Sequence, residues 1–292
     1  MDKIKFLLLS LRPKHWVKNL FIFAGPFFSL KLFSLGNLGK LTLGLIYWCL
    51  ATSAMYLFND IIDRKEDALH PHKMNRPLAR GVLKVRIAYL YFIILSIIAI
   101  VLSIRLDMNF AIFIIIYFMI NIFYSLYLKH VFILDVMCIA SGFVFRVVSG
   151  AVLINVGSSE WLIMCTFLLS LLLGFGKRQE EISSLGENAV YHRKVLKEYD
   201  RGFLQYVPYV LISSAIVCYM LYTVSIEAVR KFGTKNLIYT SPFVIYGLLR
   251  YVYIAYEKNK GADPTQVLFQ DIPIVIDIFL WIMSVGLIIY IK

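Results

Sequence analysis

Long apolar runs separated by polar connectors organise this chain from end to end. A helix that crosses a bilayer needs about 20 mostly apolar residues. Nine segments meet that need: residues 16–35, 41–60, 87–104, 109–127, 131–154, 160–176, 206–226, 237–256 and 273–291. These runs do not alternate as a membrane β-strand of about 10 residues would. The pattern predicts an all-α fold, a polytopic membrane helix bundle of about nine transmembrane helices, with residues 1–292 as one integral membrane domain. Three connectors are long enough to carry chemistry: 61–86, 177–205 and 257–272.

Composition agrees. Of 292 residues, 60% are hydrophobic and 16% charged, and the mean hydropathy is +0.75. Disorder needs far lower hydrophobicity, and a water-soluble domain carries about 25% charge. Lys and Arg number 30 against 18 acids, a net charge of +12. In a soluble protein that excess would suggest nucleic acid. Here it reads as basic loops on the cytoplasmic side, and no nucleic-acid partner is expected.

With nine spans, the N-terminus and the connectors after the second, fourth, sixth and eighth spans hold 21 of the 30 cations, and the other side holds 7. Arg146 and Arg250 lie within spans. This bias predicts a plasma-membrane protein with its N-terminus and long loops in the cytoplasm. Most acids fall on the same side, so the polar chemistry is one-sided, unlike a channel with polar positions along its depth. Cys49, Cys138, Cys165 and Cys218 sit singly in apolar runs without a CxxC pair. They read as small hydrophobes. The opening MDKIKFLLLS, followed by LRPKHWVKN, lacks the pattern of a cleavable leader.

The most informative segment is Asn59-Asp60-Ile61-Ile62-Asp63-Arg64-Lys65-Glu66-Asp67 at the end of the second span. Helical phase places Asn59, Asp60, Asp63 and Asp67 within about 100° of arc. Carboxylates so crowded repel one another, and a divalent cation relieves them. Mg²⁺ takes oxygen ligands and is often completed by substrate phosphates. Lys73 and Arg76 follow, near Pro71 and Pro77, and suit a diphosphate. The plainer alternative is a solvated helix end with i,i+4 charge pairs.

NDIIDRKED at the end of an apolar helix resembles the NDxxDxxxD signature of the UbiA prenyltransferase superfamily. LRPKHWVKN, NDIIDRKEDALHPHKMNRPLARG, YSLYLKHVFILDV, GKRQEEI and GADPTQVLFQD together are similar to the decaprenyl-phosphate phosphoribosyltransferase branch of that superfamily. The resemblance implies a UbiA-like nine-helix bundle with a cytoplasmic-facing site and Mg²⁺ held by Asn59, Asp60, Asp63 and Asp67. It further implies transfer of 5-phosphoribose from phosphoribosyl diphosphate to a polyprenyl phosphate, with Asp60, Asp63 and Asp67 as the catalytic set.

One departure from the wider superfamily stands out. Where prenyl-diphosphate transferases carry a second acidic motif, this chain reads Gly176-Lys177-Arg178-Gln179-Glu180-Glu181. A basic pair can hold a phosphate directly, or it can cap the helix and anchor it to anionic lipid. Asp135 and Arg146 share a face of the fifth span, about 16 Å apart along the axis. Such a face should line a cavity or another helix. Asp135, with Tyr124, Ser125 and Lys129 just before it, borders the expected sugar-phosphate site. Arg146 either holds a phosphate or pairs with Asp277 or another buried acid. Arg250 and Asp277 are expected to snorkel or to pair within the bundle. The cluster Arg12, Lys14, Trp16, Lys18 and Asn19 reads either as an interfacial anchor or, through Lys18, as a phosphate contact. His15, His70, His72, His130 and His192 lack metal-ligand spacing and read as interfacial or substrate-adjacent. The aromatic residues are expected mainly to pack and to face lipid.

Two rival functions remain open at this level. An intramembrane prenyltransferase, moving a prenyl group from its diphosphate to an aromatic acceptor, would use the same first acidic motif. A carrier or structural bundle would need no product chemistry and would carry polar groups at both faces.

Overall fold

The computed structural model describes residues 2–71, 73–186, 194–258 and 270–291. His72, His192 and most of GADPTQVLFQD lie outside them, as do parts of the connectors 177–205 and 257–272. Among the described residues the structure is helical throughout, without strands. Eight helical segments there are long and apolar enough to cross a membrane. The chain forms two compact units. The first is Met1–Ser158 with Tyr191–Val195, and the second is Ser159–Val190 with Leu196–Lys292.

In the first unit the expected span 16–35 is not one helix. Pro13–Phe23 winds as a 3₁₀ helix and passes directly into a short α-helix, Ala24–Phe28. Eleven residues at about 2.0 Å rise and five at about 1.5 Å reach roughly 30 Å, the thickness of the hydrocarbon core. The tighter winding therefore gives the length of a crossing with fewer residues than an α-helix needs. Every third residue of a 3₁₀ helix shares a face. Here that face is Asn19, Ile22 and then Gly25, all buried.

Helix α1 (Leu35–Ile62) opens with Ser34, whose hydroxyl accepts the Asn37 N–H at 3.3 Å. Helices α2 (Val85–Leu106) and α3 (Met108–Leu126) are separated by one residue, Asp107. Its extended backbone ends α2, and its carboxylate caps α3 by accepting the Phe110 N–H at 2.8 Å. So short a connection forces the two helices antiparallel. Helix α4 (Leu134–Leu153) follows. The core gathers Leu41, Trp48, Ala51 and Met55 of α1, Phe110, Ile114 and Tyr117 of α3, Leu153 of α4, and Ile22. At Gly150 of α4 a Cβ would collide with the Ile22 carbonyl, so only glycine lets the 3₁₀ backbone lie this close. Helix α2 leaves Leu90, Ile94, Ile97, Val101 and Ile104 exposed, as a bilayer-facing helix should.

In the second unit α5 (Glu160–Leu185) runs nine residues past the expected end at 176. Lys177 and Arg178 therefore stand on a helix, not in the loop predicted to begin there. The stretch KRQEEISS has good helix formers and an i,i+3 ion pair, Arg178 to Glu181, at 2.5 Å. Helix α6 (Arg201–Val224) is capped by Asp200, which accepts the Gly202 and Phe203 N–H groups. Helix α7 (Ser241–Val252) is entered through a 3₁₀ turn, Asn236–Thr240, and left through a π turn, Tyr253–Lys258. Asp271 caps α8 (Ile272–Tyr290) by accepting the Ile274 N–H at 3.0 Å. Tyr219 of α6 links to the Thr240 hydroxyl at 2.5 Å and accepts the Trp281 indole N–H at 3.0 Å. Buried hydroxyls thereby hold three elements of this unit together.

Candidate active site

The acidic segment keeps its helical phase beyond the end of α1. The Asp63 N–H donates to the Asn59 carbonyl and the Asp67 N–H to the Asp63 carbonyl, both at 2.8 Å. Asn59, Asp63 and Asp67 thus climb in steps of four, through the short helix Arg64–Leu69. Asp60 and Asp67 are buried, while Asp63 is about one-third exposed at 34%.

Each carboxylate meets a cation from elsewhere in the first unit. Arg12, at the foot of the 3₁₀ helix, bridges to Asp60 and lies 4.7 Å from the Tyr56 ring centre. Arg76 Nη1 is shared between Asp60 Oδ1 at 3.2 Å and Asp67 Oδ2 at 2.6 Å. Lys129, in a turn just after α3, reaches Asp63 Oδ1 at 2.5 Å. The Ser125 hydroxyl of α3 donates to Asn59 Oδ1. Apolar anchors hold the Arg76 loop in place: Leu78 and Leu83 bury against Leu57 and Ala88. Burial pushes the Asp67 carboxyl above the ordinary carboxylate range. Arg76 pulls it back, the charge of Asp60 raises it further, and Lys73 opposes that.

The charge relief expected from a metal is supplied here by Arg12, Arg76 and Lys129. Among the described residues no group of three or more His, Cys, Asp or Glu is arranged to hold a metal ion. The donor set nevertheless suits one. Oxygens from two carboxylates already close on a single cationic nitrogen of Arg76, and hard oxygen ligands are those that Mg²⁺ takes.

The other predicted residues distribute as follows. Lys18 and Tyr124 are half-buried on the 3₁₀ helix and on α3. The Lys73 N–H donates to His70 Nδ1 at 3.4 Å. Asp135 is fully buried in the first turn of α4, two residues after Ile133, whose φ of 66° is strained for a β-branched side chain. Arg146 lies deeper on α4. No carboxylate pairs with it among the described residues of the first unit, so a partner acid from that unit is not found. It bonds instead to Asn19 and to the Gly142 carbonyl. In the second unit Arg178 is buried with Glu181, and Lys177 is exposed. Arg250 pairs with Asp271, as anticipated for a span arginine.

Sequence reasoning favoured Lys18 over Arg12, yet Arg12 is the residue that grips Asp60. It also passed over Trp48, Tyr56 and Tyr117 as packing residues. A signal for two of them was present, because Trp48, Thr52, Tyr56 and Asp60 recur every four residues along one face of α1.

The profile of the UbiA prenyltransferase family matches residues 20–282. The chain belongs to this family. Among its UbiA-like relatives, decaprenyl-phosphate phosphoribosyltransferase of Mycolicibacterium smegmatis is 29% identical, with 97% of this chain and 92% of that protein covered. The Corynebacterium glutamicum protein of the same name is 28% identical, covering 98% of this chain and 87% of its own. A UbiA homolog from Archaeoglobus fulgidus, solved with GPP and Mg²⁺, superposes with a TM-score of 0.72 at 20% identity, covering 98% of this chain and all of the other. That likeness establishes the fold: an integral membrane, all-helical UbiA bundle.

Proposed function

We propose that this UbiA-family protein transfers 5-phosphoribose from phosphoribosyl diphosphate to a polyprenyl phosphate of decaprenyl type, releasing diphosphate. The observation that carries the reading is the alternation of Asp60, Asp63 and Asp67 with Arg12, Arg76 and Lys129 in one cluster. Such a cluster suits a substrate rich in phosphate. It occurs in a chain whose near full-length relatives bear the name of that activity. The Lys/Arg bias supports a plasma-membrane location with the cluster at the cytoplasmic face.

Asn59, Asp60, Asp63 and Asp67 would hold Mg²⁺, which when bound neutralises the diphosphate leaving group. Arg12, Arg76, Lys129 and Lys73 orient and neutralise the phosphate oxygens. Asp135 and Tyr124 border the sugar, and Lys18 borders the lipid phosphate. The C1–O bond to diphosphate breaks with its electron pair leaving on the diphosphate, and a lipid phosphate oxygen forms the new bond to C1. That oxygen is already anionic at neutral pH, so no strong base is required. Catalysis then rests on alignment and electrostatics.

The test is mass spectrometry of lipid extracts after incubating the purified protein with Mg²⁺, phosphoribosyl diphosphate and decaprenyl phosphate. A phosphoribosylated lipid is the expected product. A parallel reaction offers geranyl diphosphate with an aromatic acid. Product only in that second reaction replaces this reading with prenyl transfer.

A further inference from the structure

Arg146 is buried deep on α4, with 6% of its surface exposed. Its Nε donates to Asn19 Oδ1 at 2.8 Å and its Nη1 to the Gly142 carbonyl at 2.5 Å. The rings of Trp48, Tyr117 and Phe143 surround it, with centres 4.8, 5.3 and 5.6 Å from Cζ. The neighbours have partners of their own. The Asn19 amide donates to Cys49 and Thr52, and the Trp48 indole to Ser149. Three rings and neutral acceptors ease a guanidinium but leave its net charge in place. In a membrane span such a charge marks a ligand or a partner acid, and no acid is beside it among the described residues. A guanidinium has five N–H donors, and the neutral acceptors Asn19, the Gly142 carbonyl and the Tyr117 hydroxyl engage only part of them.

Its depth follows from two helices independently. Thr52, which contacts Asn19, precedes Asp60 by eight residues on α1. Tyr117 precedes Ser125, which touches Asn59, by eight residues on α3. At 1.5 Å per residue both place the guanidinium about 12 Å from the acidic cluster. Tyr56 lies between them on α1, four residues from both Thr52 and Asp60, with Arg12 4.7 Å from its ring centre.

We propose that Arg146 binds the sugar's own phosphate, the monoester at the end of the pentose opposite the diphosphate. This rests on the phosphoribosyl reading above and adds the residue that selects the donor class. A pentose phosphorylated at both ends, with its diphosphate at the acidic cluster, extends toward Arg146. There the monoester meets the guanidinium fork. An isoprenoid tail in the same place would bring only hydrocarbon against a desolvated charge, so the same side chain rejects it.

Ribose 5-phosphate isolates this contact, because it lacks the diphosphate and can be offered without divalent metal. Equilibrium binding to the purified full-length protein in nanodiscs should detect ribose 5-phosphate and not ribose. Arg146→Met should weaken that binding about tenfold or more. Asn19→Asp, which supplies an internal counter-ion with little change of shape, should do the same. Binding of inorganic diphosphate with Mg²⁺ should stay unchanged in both variants, and the KM for phosphoribosyl diphosphate should rise with less effect on kcat. Undetectable ribose 5-phosphate binding by the unaltered protein overturns the proposal. So does equal binding by the variants, or a parallel loss of diphosphate binding, which would make Arg146 only a rivet between helices. Failure of the phosphoribosyl reading shows separately, as an absence of labelled lipid from the unaltered protein.

Discussion

Arg146 of the first unit and Arg250 of the second both lie inside apolar helices, and the two are treated differently. Arg250 in the second unit faces Asp271 with two parallel bonds, Nε to Oδ1 at 2.7 Å and Nη2 to Oδ2 at 3.0 Å, and it also reaches the Tyr246 hydroxyl. Arg146 in the first unit has an amide, a backbone carbonyl, the Tyr117 hydroxyl and three aromatic rings, and no carboxylate among the described residues. The first arrangement is complete within the protein and calls for nothing else. The second leaves a charge to be balanced from outside. The same contrast separates the acids. Asp271 already caps a helix and binds one arginine, whereas Asp60 and Asp67 crowd around one shared nitrogen of Arg76.

The sharpest way to break this comparison is to make one change in both units. Asp63→Asn should lower Mg²⁺-dependent transfer by about a hundredfold or more, as loss of an electrostatic contact to a leaving group does. Quantified lipid product is the readout, and near-normal turnover would remove Asp63 from the chemistry. A smaller effect is expected on stability. Gly150→Ala sets a methyl group against the Ile22 carbonyl, which is backbone and cannot swing away. Denaturation in detergent should show a loss of about 1–3 kcal/mol. Gly247→Ala in the second unit meets the Asp277 carboxylate at 2.6 Å instead, a side-chain end that can rotate. Its loss should be measurably smaller, and equal losses would mean that the two close approaches are alike. Least affected should be transfer by Asp271→Asn, within about twofold of the unaltered protein. That acid serves a partly exposed pair of the kind that contributes little.

Much of the bundle was readable from hydropathy, because a bilayer demands length and apolarity and little else. The helices from Leu35–Ile62 onward lie where expected, most ends within about four residues, apart from the starts of α1 and α6, which come six and five residues earlier, and the end of α5. The 3₁₀ winding was not readable. Its apolar run satisfies a membrane whichever way it winds, and the choice depends on Asn19, Ile22 and Gly25 packing on helices far along the chain. The acidic ladder could be seen because its partners are neighbours in sequence. Which cation meets which acid could not, since Arg12 lies 48 residues from Asp60 and Lys129 lies 66 from Asp63. The aromatic ring of residues around Arg146 escaped for a related reason. Trp48, Tyr117 and Phe143 come from three helices, and in a membrane protein each one taken alone is ordinary.

The winding of Pro13–Phe23 has a mechanical consequence. Rewound as an α-helix, those eleven residues would be about 5 Å shorter. With Gly25 held against Ala151, the shortening would draw Arg12 away from Asp60. The stretch is pinned along its length, by Trp16 to Ser53 and Asn19 to Thr52 as well as at Gly25, and in this one pitch those pins leave Arg12 at the level of the acid.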